Sequence, residues 1–278
     1  MKSFIKTGRS FYGTGMACIA FQQFIYSDFR PVILPTGWPA WIHASAVWAY
    51  IISAAIIIAG LLIITSRKGR EAALLLGGFL LLLFIAFQAP NVLFIGPYSP
   101  VHLGLWTDPL KELALSGGAF VVAGSFPSPV RSDDKKDYLF KVLESLIPLG
   151  RIFFCITMIS FGIDHFYYTD IVATLVPSWI PGHVFWAYFA GVALAGSGIA
   201  IILKIKLKLV ALLLSTMIFL WLIMLHIPRA ITDPYSGNGN EITSVFEALA
   251  FSGIALLVAV MADYKSSNAR AFNSPALQ

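Results

Sequence analysis

Long apolar runs separated by short polar clusters make up most of the chain, and a helix crossing bilayer hydrocarbon needs about 20 mostly apolar residues. Eight stretches have that character. They are 8–26, 44–65, 72–89 and 109–124, then 147–168, 183–203, 207–227 and 243–261. The fourth is short and opens on Lys111 and Glu112. The pattern predicts an all-α fold, a polytopic transmembrane helical bundle of eight spans.

The two halves echo each other. Gly8-Arg9 is repeated by Gly150-Arg151, and Phe24, Tyr26, Ser27 and Asp28 by Phe166, Tyr168, Thr169 and Asp170, all at a spacing of 142. Pro39, Trp41 and Trp48-Ala49-Tyr50 recur 138 residues later as Pro177, Trp179 and Trp186-Ala187-Tyr188. Pro97-Tyr98-Ser99 meets Pro234-Tyr235-Ser236 at 137, and Ser116-Gly117 meets Ser252-Gly253 at 136. Offsets that fall slowly and in order are what duplication followed by small loop deletions produces. The expectation is two parallel four-helix repeats, 1–126 and 147–278, joined by a polar cytoplasmic linker at 127–146.

Charge placement gives orientation. Every Lys and Arg except Arg30, Lys111 and Arg229 lies toward one side: before the first span or at its start, between spans two and three, between four and five or at the start of the fifth, between six and seven or at the start of the seventh, or after the eighth. The positive-inside rule makes that side cytoplasmic, with both termini there. Lys2, Lys6 and Arg9 before an apolar run resemble a signal peptide, but the first span matches an internal helix of the second half, so it is expected to be retained. Trp38, Trp41, Trp106 and Trp179 in the outer connections suit anchoring at headgroup level. Ala187, Gly191 and Ala195 form a small-residue face that lets a neighbouring helix approach.

Composition narrows the function classes. With 58% hydrophobic and 12% charged residues, the chain cannot cover a soluble globule of this size. The net charge of +5 sits in inter-span clusters and reflects topology, so no nucleic-acid partner is expected. Two isolated cysteines, Cys18 and Cys155, build neither a disulfide framework nor a zinc site. No P-loop, dinucleotide-binding glycine pattern, GxSxG or HExxH occurs, which excludes ATP-driven transport by this chain alone.

Ionisable groups within spans are costly, and therefore informative. Asp164 and His165 lie in the fifth span, His226 at the end of the seventh with Arg229 beyond it, and Glu247 in the eighth, all toward the outer side. In a four-helix bundle the outer ends of the first, third and fourth helices are neighbours, which would gather them in one cavity. Their first-half counterparts are Gln22, Gln23, Gln88 and Asn91, with Lys111 opposite Glu247. Amides keep the size and hydrogen bonding but exchange no protons at neutral pH. The active cavity is therefore expected in the second half. Asp164 points about 100° from His165 on a helix, so pairing with Arg229 or Tyr168 is expected instead. No HxxxH or HxxE spacing exists within a span, and no metal is expected.

The four-span unit opening on Gly-Arg, with the segment FGIDHFYYTDIVATLVPSWIPGHVFWAYFAGVAL, resembles the DoxX-like bacterial membrane proteins, most strongly over 150–203. The resemblance implies a multi-pass protein of the bacterial inner (plasma) membrane. Some relatives are described as the membrane subunit of a thiosulfate:quinone oxidoreductase and others as partners of redox or detoxification proteins. The leading expectation is a redox-associated subunit that binds a quinone, with a redox partner protein. His165 and His226 would be its hydrogen-bond or proton partners, Asp164 and Glu247 proton relays, and Arg229 and Tyr168 binding residues. A small-molecule transporter and a scaffold for a partner complex are the alternatives.

Overall fold

The computed structural model describes residues 1–35, 45–95, 101–127 and 138–272, with side chains to residue 262. Trp38, Trp41, His43, the Pro97-Tyr98-Ser99 match, and Arg131, Lys135 and Lys136 of the linker lie outside the described residues. The described residues are helical with irregular connections. Helices α1 (Lys2–Tyr26), α2 (Ser45–Ile64), α3 (Gly69–Leu83) and α4 (Thr107–Ser125) come first. Next come α5 (Tyr138–Ser145), α6 (Ile147–Tyr167), the short α7 (Thr169–Leu175), α8 (His183–Ile202) and α9 (Leu207–Trp221). The short α10 (Ile227–Thr232) and the long α11 (Asn240–Phe272) complete the set.

Among the described residues, six helical stretches are long and apolar enough to cross a membrane: Ser45–Ile64, Gly69–Ile95, Ile147–Tyr167, His183–Ile202, Leu207–Thr232 and Ser236–Ala262. Helices α1 and α4 are not among them. The first carries Lys2, Lys6 and Arg9, and the fourth Asp108, Lys111 and Glu112. Helix α4 is nevertheless buried almost end to end, from Pro109 to Ala123. A helix enclosed by protein need not present an apolar face to lipid.

Helices α4 and α11 form the centre. Helix α1 packs along α11 and α6 along α4, while α2, α3, α8 and α9 lie outside, with Ile51, Ile58, Leu82, Val192, Leu213 and Leu220 turned outward. Bilayer chains are as apolar as leucine, so close backbone approach has to hold such helices together. A Cβ on Gly117 would stand 2.5 Å from the Gly150 carbonyl, and one on Gly150 2.5 Å from that of Gly117. Gly8 and Gly253 make the corresponding approach of α1 to α11, at 3.0 and 2.7 Å. The small face of α8 receives α6 at Gly162, where a Cβ would meet Ala195 N at 2.6 Å and Gly191 O at 2.7 Å.

Helices α3 and α9 end alike. Each continues into a π turn, Phe84–Gln88 and Leu222–His226, closed by Ala89 N–H to Phe84 O and by Ile227 N–H to Leu222 O. A proline follows each turn, Pro90 and Pro228. Proline has no N–H to give and its ring crowds the carbonyl four residues back, which a wider turn relieves. Between the α1 end, where Ser27 is left-handed, and residue 35, the chain folds inward as a turn with Phe29, Arg30, Val32, Ile33 and Leu34 buried.

Candidate functional site

By direct contact the expected residues fall into three groups, the second and third of which lie within charge range of each other, since Lys111 acts on both His226 and Glu241. In the first, His165 Nδ1 lies 2.7 Å from Phe161 O, one turn back on α6, and its ring stacks on Trp221 at 6.3 Å and 17°. A carbonyl accepts only from a protonated nitrogen, so a neutral His165 carries its proton on Nδ1 and leaves Nε2 as an acceptor. Asp164 beside it has a buried Oδ1 with no hydrogen-bond partner. Around the pair, Ile163, Phe166, Leu220 and Ile223 are exposed, so this group sits where the bundle meets lipid.

The second group is Arg229 and Glu241. Nε of Arg229 donates to Glu241 Oε2 at 3.0 Å and Nη2 to Oε1 at 2.5 Å, a two-pronged ion pair between α10 and the first turn of α11. Arg229 is therefore committed to Glu241 and does not pair with Asp164. Tyr168 does not either. Its hydroxyl accepts from Gly104 N–H at 3.3 Å and its ring faces His102 at 6.2 Å, because Tyr168 ends α6 and turns toward the 3-10 turn Leu103–Trp106. His226 ends its π turn half-buried.

Glu247 belongs to a third group, built mostly from the first half of the chain. Its Oε2 takes Lys111 Nζ at 3.0 Å, Lys111 also reaches Asp108 Oδ1 at 3.4 Å, and Glu247 Oε1 is buried without a partner. One turn earlier on the same face of α11, Thr243 Oγ1 accepts from Arg30 Nε at 3.1 Å and donates to Gln22 Oε1 at 3.0 Å. Gln22 Nε2 donates in turn to Gly239 O at 3.3 Å. Arg30 N–H donates to Gln23 Oε1 at 3.1 Å, Gln23 Nε2 to Ser53 Oγ at 2.5 Å, and Gln88 Nε2 to Pro31 O at 2.7 Å. The guanidinium lies over the Tyr26 ring at 4.7 Å, wholly buried, and neither Nη1 nor Nη2 has a partner. Burial lowers the Arg30 pKa from its ordinary range, while Tyr26 and the carboxylates of Glu247, Asp28 and Asp108 push it back up.

Sequence reasoning misses Arg30, Thr243 and Glu241. It counts Arg30 only as an outer cation. A signal for it is present, since Gln22, Gln23 and Gln88 are the neutral ties a buried turn needs. Likewise the spacing of Thr243 and Glu247 places two polar side chains on one face of an apolar helix. Among the described residues no three His, Cys, Asp or Glu side chains gather as metal ligands would.

No curated protein and no solved structure matches the chain. Residues 146–227, from the residue before α6 to the residue after the π turn that ends on His226, match the family model for DoxX, and the matched segment of this integral membrane protein holds Asp164, His165, Tyr168, Trp221 and His226.

Proposed function

We propose that the chain is a tandem pair of four-span DoxX-like units with both termini cytoplasmic, acting as the quinone-interacting membrane subunit of a redox system. Recurrent packing supports the duplication. Gly8 with Gly253 and Gly150 with Gly117 are the same contact under the offsets of 142 and 136. Ser116 Oγ donates to Gly77 O at 2.8 Å and Ser252 Oγ to Ser215 O at 3.2 Å, again corresponding positions. The π turns lie 138 residues apart, as do the left-handed Lys68 and Lys206 that precede α3 and α9. Units with an even number of spans are related by an axis along the membrane normal. On this reading α4 and α11 are the fourth helices of the two units. Each unit's first helix lies along the other unit's fourth.

The observation that carries the quinone reading is the His165–Trp221 pair. A flat aromatic wall at the lipid boundary suits a ring that arrives through the bilayer, and His165 Nε2 is held ready to accept a hydrogen bond from a hydroquinone hydroxyl. Quinone reduction takes up two protons with two electrons. The electrons are assigned to a redox partner protein, and proton transfer to Asp164 and His226 at the same outer level.

The test is quinone retention. Wild type and the His165→Gln/His226→Gln variant are purified in mild detergent, and bound quinone is extracted and quantified. Near-stoichiometric quinone in the wild type that is lost from the variant is expected; its absence from both proteins would refute this reading and leave transport or scaffolding.

A further inference from the structure

The Arg30 cluster is distinct from the ring site on His165 and is built mostly from the first half of the chain, with Thr243 and Glu247 contributed by α11. Four elements enclose it: α1 through Gln22, Gln23 and Tyr26, the inward turn through Arg30, α4 through Lys111, and α11 through Thr243 and Glu247. Within this shell three buried atoms have no hydrogen-bond partner: Arg30 Nη1, Arg30 Nη2 and Glu247 Oε1. A charged donor taken out of water and left unbonded is among the costliest groups a protein can hold.

The chemistry of those three atoms defines what would satisfy them. With Nε fixed on Thr243, the guanidinium presents its remaining nitrogens in one plane, a fork that matches two coplanar oxygens of a carboxylate. Glu247 stands one helical turn, about 6 Å, along α11 from Thr243, and its Oε1 is an acceptor that requires a hydrogen. A plain carboxylate would add negative charge near Glu247 and offer that oxygen nothing. A carboxylate with a hydroxyl or ammonium on the neighbouring carbon meets both ends.

We propose that this cluster is a binding site for a small 2-hydroxy or 2-amino acid, its carboxylate on the two free nitrogens of Arg30 and its hydroxyl or amino hydrogen on Glu247 Oε1. Lys111 neutralises the other oxygen of Glu247 and keeps the carboxylate in place. Gln23 and Gln88 hold the turn that carries Arg30, so the guanidinium is positioned before the ligand arrives.

The experiment uses the full chain in detergent and equilibrium binding of radiolabelled glycolate, with acetate, glycine, chloride and sulfate as competitors. Saturable binding of one glycolate per chain is expected. Glycine should compete comparably, and acetate, which has no hydrogen for Glu247, about tenfold less well or worse. Chloride and sulfate should compete poorly. Arg30→Lys keeps the charge and removes the fork, and Thr243→Ala releases Nε; in each, glycolate affinity should fall about tenfold or more while size-exclusion and circular dichroism profiles stay those of the wild type. Should one variant fail to fold, the other and the acetate comparison decide. No saturable glycolate binding by the wild type, acetate equal to glycolate, or undiminished binding in a folded variant would each overturn the assignment. Quinone retention is read separately, so either site can fail without the other.

Discussion

Lys111 and Glu247 meet at 3.0 Å between the two central helices, with 11% and 5% of their side chains exposed. Each is the other's counterpart under the proposed duplication, so the pair would lie on the axis relating the halves. Neither charge has water to fall back on. Removing one partner of a buried pair typically costs about 3–5 kcal/mol, because the other charge is stranded, while replacing both by apolar groups is often close to neutral. Lys111→Met is therefore expected to lower the thermal midpoint sharply and Lys111→Met/Glu247→Leu to restore most of the loss, read by unfolding in detergent. Additive losses would show that the pair contributes nothing as a pair.

The Arg229–Glu241 pair has better geometry and a smaller expected effect. Arg229 is 36% exposed and Glu241 17%, so solvent screens the attraction and rehydrates whichever charge is left. Glu241→Gln should cost about 1 kcal/mol or less in the same unfolding assay. A loss as large as that of Lys111→Met would mean that α10 is fixed through this contact.

Glycines supply a test of how the halves hold together. A Cβ at Gly117 would stand 2.5 Å from the Gly150 carbonyl, and neither backbone can yield without parting α4 from α6. Gly117→Ala is expected to destabilise by about 1–3 kcal/mol, the usual cost of overpacking. Gly196 on α8 has nothing within 4 Å of a Cβ position, so Gly196→Ala should be neutral or stabilising by about 0.5–1 kcal/mol through helix propensity. Opposite signs in one assay would separate packing from propensity.

The helical membrane fold was legible because lipid imposes it: apolar runs of spanning length with cations between them are what a bilayer demands and a soluble core does not. The recurrence of Gly-Arg and of Ser-Gly was legible too, and those glycines are where helices touch. What the runs could not show is which helix each glycine touches. Reading each half as its own bundle places Glu247 beside His165; instead α6 lies on α4, and Glu247 meets Lys111. Arg30 escapes sequence reasoning for a related reason. Counting cations by loop assigns a side of the membrane, but whether a loop folds inward depends on ties such as Gln23 to Arg30 N–H and Gln88 to Pro31 O, which come from two different helices. The π turns had a signal in Pro90 and Pro228 that hydropathy does not register.

Orientation is the remaining proposal open to direct test. The turns between α2 and α3 and between α8 and α9, with the helix starts that follow them, carry Arg67, Lys68 and Arg70, and Lys204, Lys206 and Lys208, while the opposite end of the bundle holds the loop 233–239 with Tyr235 exposed. If the first end is cytoplasmic, a cysteine replacing Ser236 in a Cys18→Ser/Cys155→Ser background should react with a membrane-impermeant maleimide in intact bacterial cells. One replacing Lys206 should react only after lysis. Green fluorescent protein fused to either terminus should fluoresce, since it folds in the cytoplasm. An inverted labelling pattern would reverse the orientation. A fluorescent fusion at one end only would mean an odd number of spans, and would break the two-unit reading along with it.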